Sequence, residues 1–273
     1  MCDCERNSLG LAGTILMTLR SYGEKATSTT ISFMGSKMHL FEDRDSITEF
    51  MKHPGLSSPM SLYLFALRNF FGMPEKSLSV YRTDNSGPHS KPFPNSNVDF
   101  RIDYLLHQSF MRAWSGPGLF HTTQSFRQVL RHKISTCAVP SDSWIEVPDF
   151  FQFFLNLVSA SVTEAVFGSM LLRLNPDFLD DLWAYDDALP WMARGIPAFI
   201  MPGPYRIRDR LRAQIKTWHS YARDNFRESD IDHTGGDPFW GSGLVRYLQG
   251  VLTERGTHDE DALSAHHLGM IFA

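Results

Sequence analysis

Cysteine is scarce in this chain: three residues in 273, at Cys2, Cys4 and Cys137. That is too few for a disulfide framework, so burial has to hold the fold. No stretch reaches the roughly 18 to 20 consecutive apolar residues that span a bilayer. The nearest, 9–19, is short, is interrupted by Gly and Thr, and follows an N-terminus carrying both charge signs, so it resembles neither a span nor a secretory signal. Positive charge is also not in excess. With 26 Lys and Arg against 30 Asp and Glu, the net charge is −4, which argues against a nucleic-acid partner. There is no G-x-S-x-G elbow, no Gly-rich phosphate loop followed by Lys, and no G-x-G-x-x-G after a strand. His266 and His267 are neighbours without H-E-x-x-H spacing, and adjacent helical residues point about 100° apart, which argues against a metal site.

What is present is apolar residue at helical spacing. At 42% hydrophobic, the chain can bury one large core or two small ones. Its organising stretch is 150–223. Asp149, after Pro148, is placed to cap a helix carrying Phe150, Phe151, Phe154, Leu155, Val158, Val162, Ala165 and Val166, the i, i+3, i+4 spacing of a core-facing stripe, with Gly168 at its end. Asn175-Pro176 then reads as cap and first position of a second helix, which stops before Pro190. Residues 189–205 are apolar but unperiodic and punctuated by Pro and Gly, the pattern of a loop. A third helix carries Ile207, Leu211, Ile215, Trp218, Ala222 and Phe226 inward. Arg206, Arg208, Arg210, Arg212, Lys216 and Arg223 cover much of the rest, as a solvated face or as a surface for anionic lipid.

Around this stretch, 27–33 and 37–41 alternate as a hairpin with a turn at Gly35-Ser36, and Asp43 or Asp45 caps a short helix through about Lys52. Residues 83–97 form an exposed loop. A helix pattern runs from Val98 through Met111, and another over 120–134 points Phe126, Val129, Leu130 and Ile134 inward and Arg127, Arg131 and Lys133 outward. After a Gly- and Asp-rich loop at 230–243, a helix closes at Gly256. A last one begins at Asp259, Glu260 and Asp261, whose charge suits a helix N-terminus. The fold class expected is mainly α with a small β-sheet, with an N-terminal segment over 1–26 and one domain over 27–273.

Three segments, "SVTEAVFG", "LDDLWAYDDALPWMARGIPAFIMPGPYRIRDRLRAQIKTWHSYAR" and "HDEDALSAHHLGMIFA", taken in that order and spacing, resemble a fungal haem-thiolate monooxygenase, a cytochrome P450. The likeness is to the branch of the sterol 7-hydroxylases and prostacyclin synthase and runs, with gaps, over about 27–273. It implies the N-terminal portion of the P450 fold, truncated in the long central helix. It also implies a haem cofactor, an apolar small-molecule substrate such as a sterol, lipid or secondary metabolite, an NADPH-dependent reductase as partner, and the endoplasmic reticulum membrane as location. By the same likeness Arg112 would meet a haem propionate, with Gln108 where the family often has Trp and His107 as an alternative polar partner; both residues also read as the surface of an amphipathic helix. Phe65, Phe70, Phe71, Met270, Phe272 and Ala273 would approach the substrate, the aromatic ones having core packing as the plain alternative. The 190–205 loop would touch a membrane surface or pack on neighbouring helices. The family's axial Cys loop and Glu-x-x-Arg helix are not in this sequence, and Cys137 lacks that loop's Phe- and Gly-rich context. The chain alone is therefore expected to be catalytically silent, and a non-catalytic helical binding protein or truncated pseudoenzyme is the alternative.

Overall fold

A computed structural model describes residues 28–33, 36–41, 43–52, 60–137, 144 and 146–272, and these fall into two compact units that divide between Ser58 and Pro59. In the first, β1 (Ser28–Phe33) and β2 (Ser36–Phe41) pair antiparallel, with Ser28 opposite Phe41 and Phe33 opposite Ser36. Thr30 and His39 face each other across the ladder, hydroxyl to Nδ1 at 2.9 Å. Helix α1 (Arg44–Lys52) follows. Of the two aspartates that could cap it, Asp43 does so, accepting from the Ser46 N–H at 2.7 Å.

The second unit holds ten α-helices among the described residues: α2 (Met60–Asn69), α3 (Glu75–Thr83), α4 (Ile102–Trp114), α5 (Gly116–Thr136), α6 (Phe150–Phe167), α7 (Ser169–Leu174), α8 (Phe178–Ala193), α9 (Pro202–Asn225), α10 (Gly243–Glu254) and α11 (Glu260–Phe272). Helix α9 is the spine, packing on α7, α8 and α11, while α4, α5 and α6 succeed one another and α10 lies on α4. The spacing along α9 explains this. Leu211, Ile215, Trp218 and Ala222 fall every three or four residues and are all wholly buried. The Trp218 indole N–H donates to the Phe239 carbonyl at 2.5 Å, and its ring meets Trp240 at 5.5 Å and Phe167 at 6.2 Å. That contact needs two glycines. Gly168, at φ +83°, caps α6, and a Cβ there would lie 2.6 Å from the Pro238 carbonyl oxygen; at Gly241, φ +75°, a Cβ would lie 2.3 Å from the Gly168 nitrogen. The 237–241 loop is thereby bonded to α6 and α7 through Met170 N–H to Pro238 O and Ser242 N–H to Val166 O.

Several sequence expectations are corrected. Asn175 does not cap α8, which begins at Phe178. Its buried side-chain amide instead donates to the Leu171 carbonyl at 2.9 Å and the Gln214 carbonyl at 3.3 Å, fastening α7 to α9. Helix α8 does not stop before Pro190 but runs through it to Ala193. Pro190 withholds its own N–H from the ladder, but only three further residues follow it before the helix ends. Because Pro202 and Pro204 sit in the first turn of α9, where an N–H has no partner to lose, the loop shrinks to 194–201.

Arg206, Arg210 and Arg223 lie on an exposed face, as the solvated reading expects, but most of the α9 cations are also paired with acids. Arg210 binds Asp181 through two nitrogens, Arg212 and Lys216 share Asp261 at 3.1 and 2.5 Å, and Arg223 reaches Glu260 at 2.6 Å. On α5, Lys133 turns to Glu164 at 2.6 Å while Ile134 is exposed, the reverse of the order expected. The α6 stripe is only half buried: Ala165, Val166 and Phe167 are in the core, but Phe150, Phe151 and Phe154 are 70%, 73% and 53% exposed. Nor is the chain without a helix of bilayer length and composition. Judged by mean hydropathy rather than by an unbroken run, α6 is such a helix; its C-terminal half is packed in the core.

Candidate functional site

Helix α11 is buried on nearly every side, with Ala262 through Leu268 and Met270 all in the core, so its polar residues have to find partners inside the protein. One face borders a hollow of 460 Å³ walled by α2, α3, α4 and α11. Phe71, Leu67, Leu106, Phe110, Met270 and Phe272 supply the apolar wall. Gly269 lets Phe71 lie against α11, since a Cβ there would meet the Phe71 ring at 3.3 Å. The wall is braced from behind: the Phe272 ring sits 6.2 Å from Phe71 and 6.1 Å from Tyr185, whose hydroxyl donates to the Phe70 carbonyl. Tyr81, Asp103, His107 and His266 bring polar groups to the same hollow.

Behind this wall runs a buried histidine chain. Glu260 Oε1 lies 2.7 Å from His219 Nδ1, and His219 Nε2 lies 2.8 Å from His267 Nδ1. Burial holds His219 and His267 below the ordinary imidazole pKa, against the opposing pull of Glu260 on His219. Burial works against Glu260 ionising too, but bonds from His219 and Arg223 keep its carboxyl below the usual range. With neutral rings beside a carboxylate, the proton positions follow. His219 Nδ1–H donates to Glu260, His219 Nε2 accepts from His267 Nδ1–H, and the bare His267 Nε2 has no partner among the described residues. His266 beside it is pushed down to about 3 by burial, and His258, bonded to the Tyr81 hydroxyl at 2.8 Å, to about 4. Sequence inspection weighed His266 and His267 only as metal ligands. The available signal was different: two histidines and a glutamate on a helix with no polar face.

The residues singled out from sequence divide among several places. Phe71, Met270, Phe272 and His107 line the hollow together. Phe70 packs behind it against Phe65 and Phe71, at 5.4 and 6.3 Å, and Phe65 is 42% exposed. Ala273 lies outside the described residues. Arg112 is exposed on α4, has no ion-pair partner among the described residues, and borders two further hollows rather than this one. Cys137 ends α5, half buried, away from all of them. Among the described residues no group of three or more His, Cys, Asp or Glu is disposed to hold a metal ion. No cysteine lines the hollow, while Arg112, without an ion-pair partner among the described residues, suits a carboxylate.

The described chain is mainly helical, with an apolar hollow against the largely buried helix α11. Its sequence is similar to fungal cytochrome P450 monooxygenases. It is 27% identical over 86% of its length to cytochrome P450 monooxygenase fsoE of Humicola fuscoatra, 25% over 96% to efuG of Hormonema carpetanum, and 21% over 70% to calL of Penicillium decumbens. The chain spans 39%, 44% and 36% of those relatives, so it corresponds to an N-terminal part of the P450 fold. No family model matches the chain, and no solved structure does.

Proposed function

We propose that this chain is the substrate-side part of a P450-like monooxygenase, and that the hollow between α2, α4 and α11 receives an apolar small molecule. The reading rests on one observation above all: Phe71, far away in sequence, meets Met270 and Phe272 at one 460 Å³ hollow against a largely buried helix. The likeness to fungal P450 enzymes supports haem as the cofactor and a reductase as electron donor for the longer relatives. Arg112 is offered for a propionate on the strength of its unpaired guanidinium. Because no residue lining the hollow can give iron a thiolate, the chain alone carries no oxygen insertion. The exposed Trp191, Phe199 and Ile200, at 44%, 84% and 63%, suit peripheral contact with an endoplasmic reticulum membrane.

Pyrene, an apolar fluorophore without hydrogen-bonding groups, tests the hollow. It should bind the chain saturably, and Gly269→Leu, which drives a side chain into Phe71, should abolish binding; undiminished binding by that variant would remove the reading. Haem added to the purified chain should give no thiolate-type spectrum with carbon monoxide after reduction, and such a spectrum would refute the inactivity. A second reading, a non-catalytic interaction protein, draws on the exposed Phe150, Phe151 and Phe154 face. It predicts specific pull-down of a partner that is lost when those three are made polar.

A further inference from the structure

The hollow is not apolar throughout. Asp103 lines it from the first turn of α4 and is only 8% exposed, yet its carboxyl has no hydrogen-bond or ion-pair partner among the described residues. Its own N–H donates to Asp84 Oδ2 at 2.8 Å, so a second buried carboxyl stands beside it. Among the described residues Asp84 is engaged only by backbone N–H groups, from Ser86 at 2.9 Å and from Asp103. Arg101, two residues before Asp103, is committed elsewhere, to the Ser86 hydroxyl at 3.1 Å and to the carbonyls of Gly87, His89 and Ser90. Across the hollow His266, 6% exposed, has an Nε2 without a partner, and His107, four residues beyond Asp103, lines the same wall. With no donor among the described residues, the Asp103 carboxyl is left to water or a ligand in the hollow it lines, helped only by the more distant His107 and His89.

We propose that the hollow selects apolar molecules bearing a hydrogen-bond-donating head, an amine or an alcohol, and that Asp103 receives that head. The proposal rests on reading the hollow as a ligand site and adds the chemistry of its ligand. Such a head gives Asp103 the donor it lacks, while the hydrocarbon body lies on Phe71, Phe110, Met270 and Phe272. Burial and Asp84 raise the Asp103 pKa, with His107 and His89 opposing, so a donating or cationic head is favoured over an acidic one, which would add a third negative group.

Three ligands of one shape decide it: methylpyrene, hydroxymethylpyrene and aminomethylpyrene, titrated by fluorescence into the unaltered chain. The hydroxymethyl and aminomethyl compounds should bind about 10- to 100-fold more tightly than methylpyrene, the scale of a hydrogen bond to a buried charged group. Asp103→Asn should cut the aminomethyl preference about tenfold or more and leave methylpyrene binding unchanged. If all three bind equally and Gly269→Leu still blocks them, the head-group proposal is overturned while the hollow remains a ligand site. If Gly269→Leu blocks none of them, the ligand-site reading falls as well. The rank order on the unaltered chain stands even where Asp103→Asn fails to fold.

Discussion

Helices α9 and α6 look alike on paper, each with apolar residues every three or four positions, and the structure treats them oppositely. On α9 that stripe is buried to the last atom at Leu211, Ile215, Trp218 and Ala222. On the first half of α6, Phe150, Phe151 and Phe154 face outward. Periodicity says which face of a helix is apolar, and says nothing about what covers it. The two also differ in their charges: α9 carries cations that α8 and α11 answer with Asp181, Asp261 and Glu260, while α6 has Glu164 paired to Lys133 and little else.

The largest test of that contrast is truncation. Trp218→Ala should cost about 3–5 kcal/mol, the scale for emptying a buried aromatic site. Phe151→Ala, at a position 73% exposed, should cost about 0.5 kcal/mol or less. Urea unfolding measures both, and similar costs would mean that something covers α6 in solution.

Acid comes next, because the core around α11 hides neutral histidines, His258 and His266 among them, and α6 has none. A histidine whose folded pKa is depressed gives stability that is complete above its unfolded value near 6.5 and is lost as pH falls toward the folded value. His258 and His266, at about 4 and about 3, should therefore each remove about 1.4 kcal/mol per pH unit below about pH 6.5, until those values are reached. Thermal unfolding from pH 8 to 4 should follow that slope. His266→Gln should flatten it, and an unchanged slope would count against a neutral buried ring.

The ion pairs come third. Asp181 accepts from Arg210 and, at 2.9 Å, from Gln214, so Asp181→Asn should cost about 1–2 kcal/mol, with the exposed Arg210 side tempering the loss. The smallest change sharpens the comparison from the other side. Replacing Phe150, Phe151 and Phe154 together by Gln should shift stability by about 0.5 kcal/mol or less per site, while lowering concentration-dependent light scattering if that face drives association.

Much of the fold was legible because its signals are local. The Asp149 cap, with its Oδ1 at 2.8 Å from the Gln152 N–H, the Gly168 and Gly256 ends, and the hairpin all depend on residues a few positions apart. Asn175 misled because the Asn-Pro pair has two uses. The cap needs its oxygen, whereas the structure uses its nitrogen, and only the approach of Gln214 on α9 favours the second. The hollow was half legible. Phe71, Met270 and Phe272 were singled out with His107, but Asp103 was not, since an Asp in the first turn of a helix ordinarily reads as a dipole partner.

By itself the sequence determined eight of the eleven described α-helices to within a turn or two, missing α2, α3 and α7, together with the hairpin, most of the caps, and the likeness to fungal P450 enzymes, because each rests on spacing along the chain. Only the tertiary structure decided that α9 is covered and half of α6 is not. It also decided that four of the six cations are spent on acids up to 49 residues away, that Glu260, His219 and His267 line up as one chain, and that Asp103 ends without a partner among the described residues in an apolar hollow. All of these are pairings between residues distant in sequence, and their energies depend on burial and direction, which only packing sets.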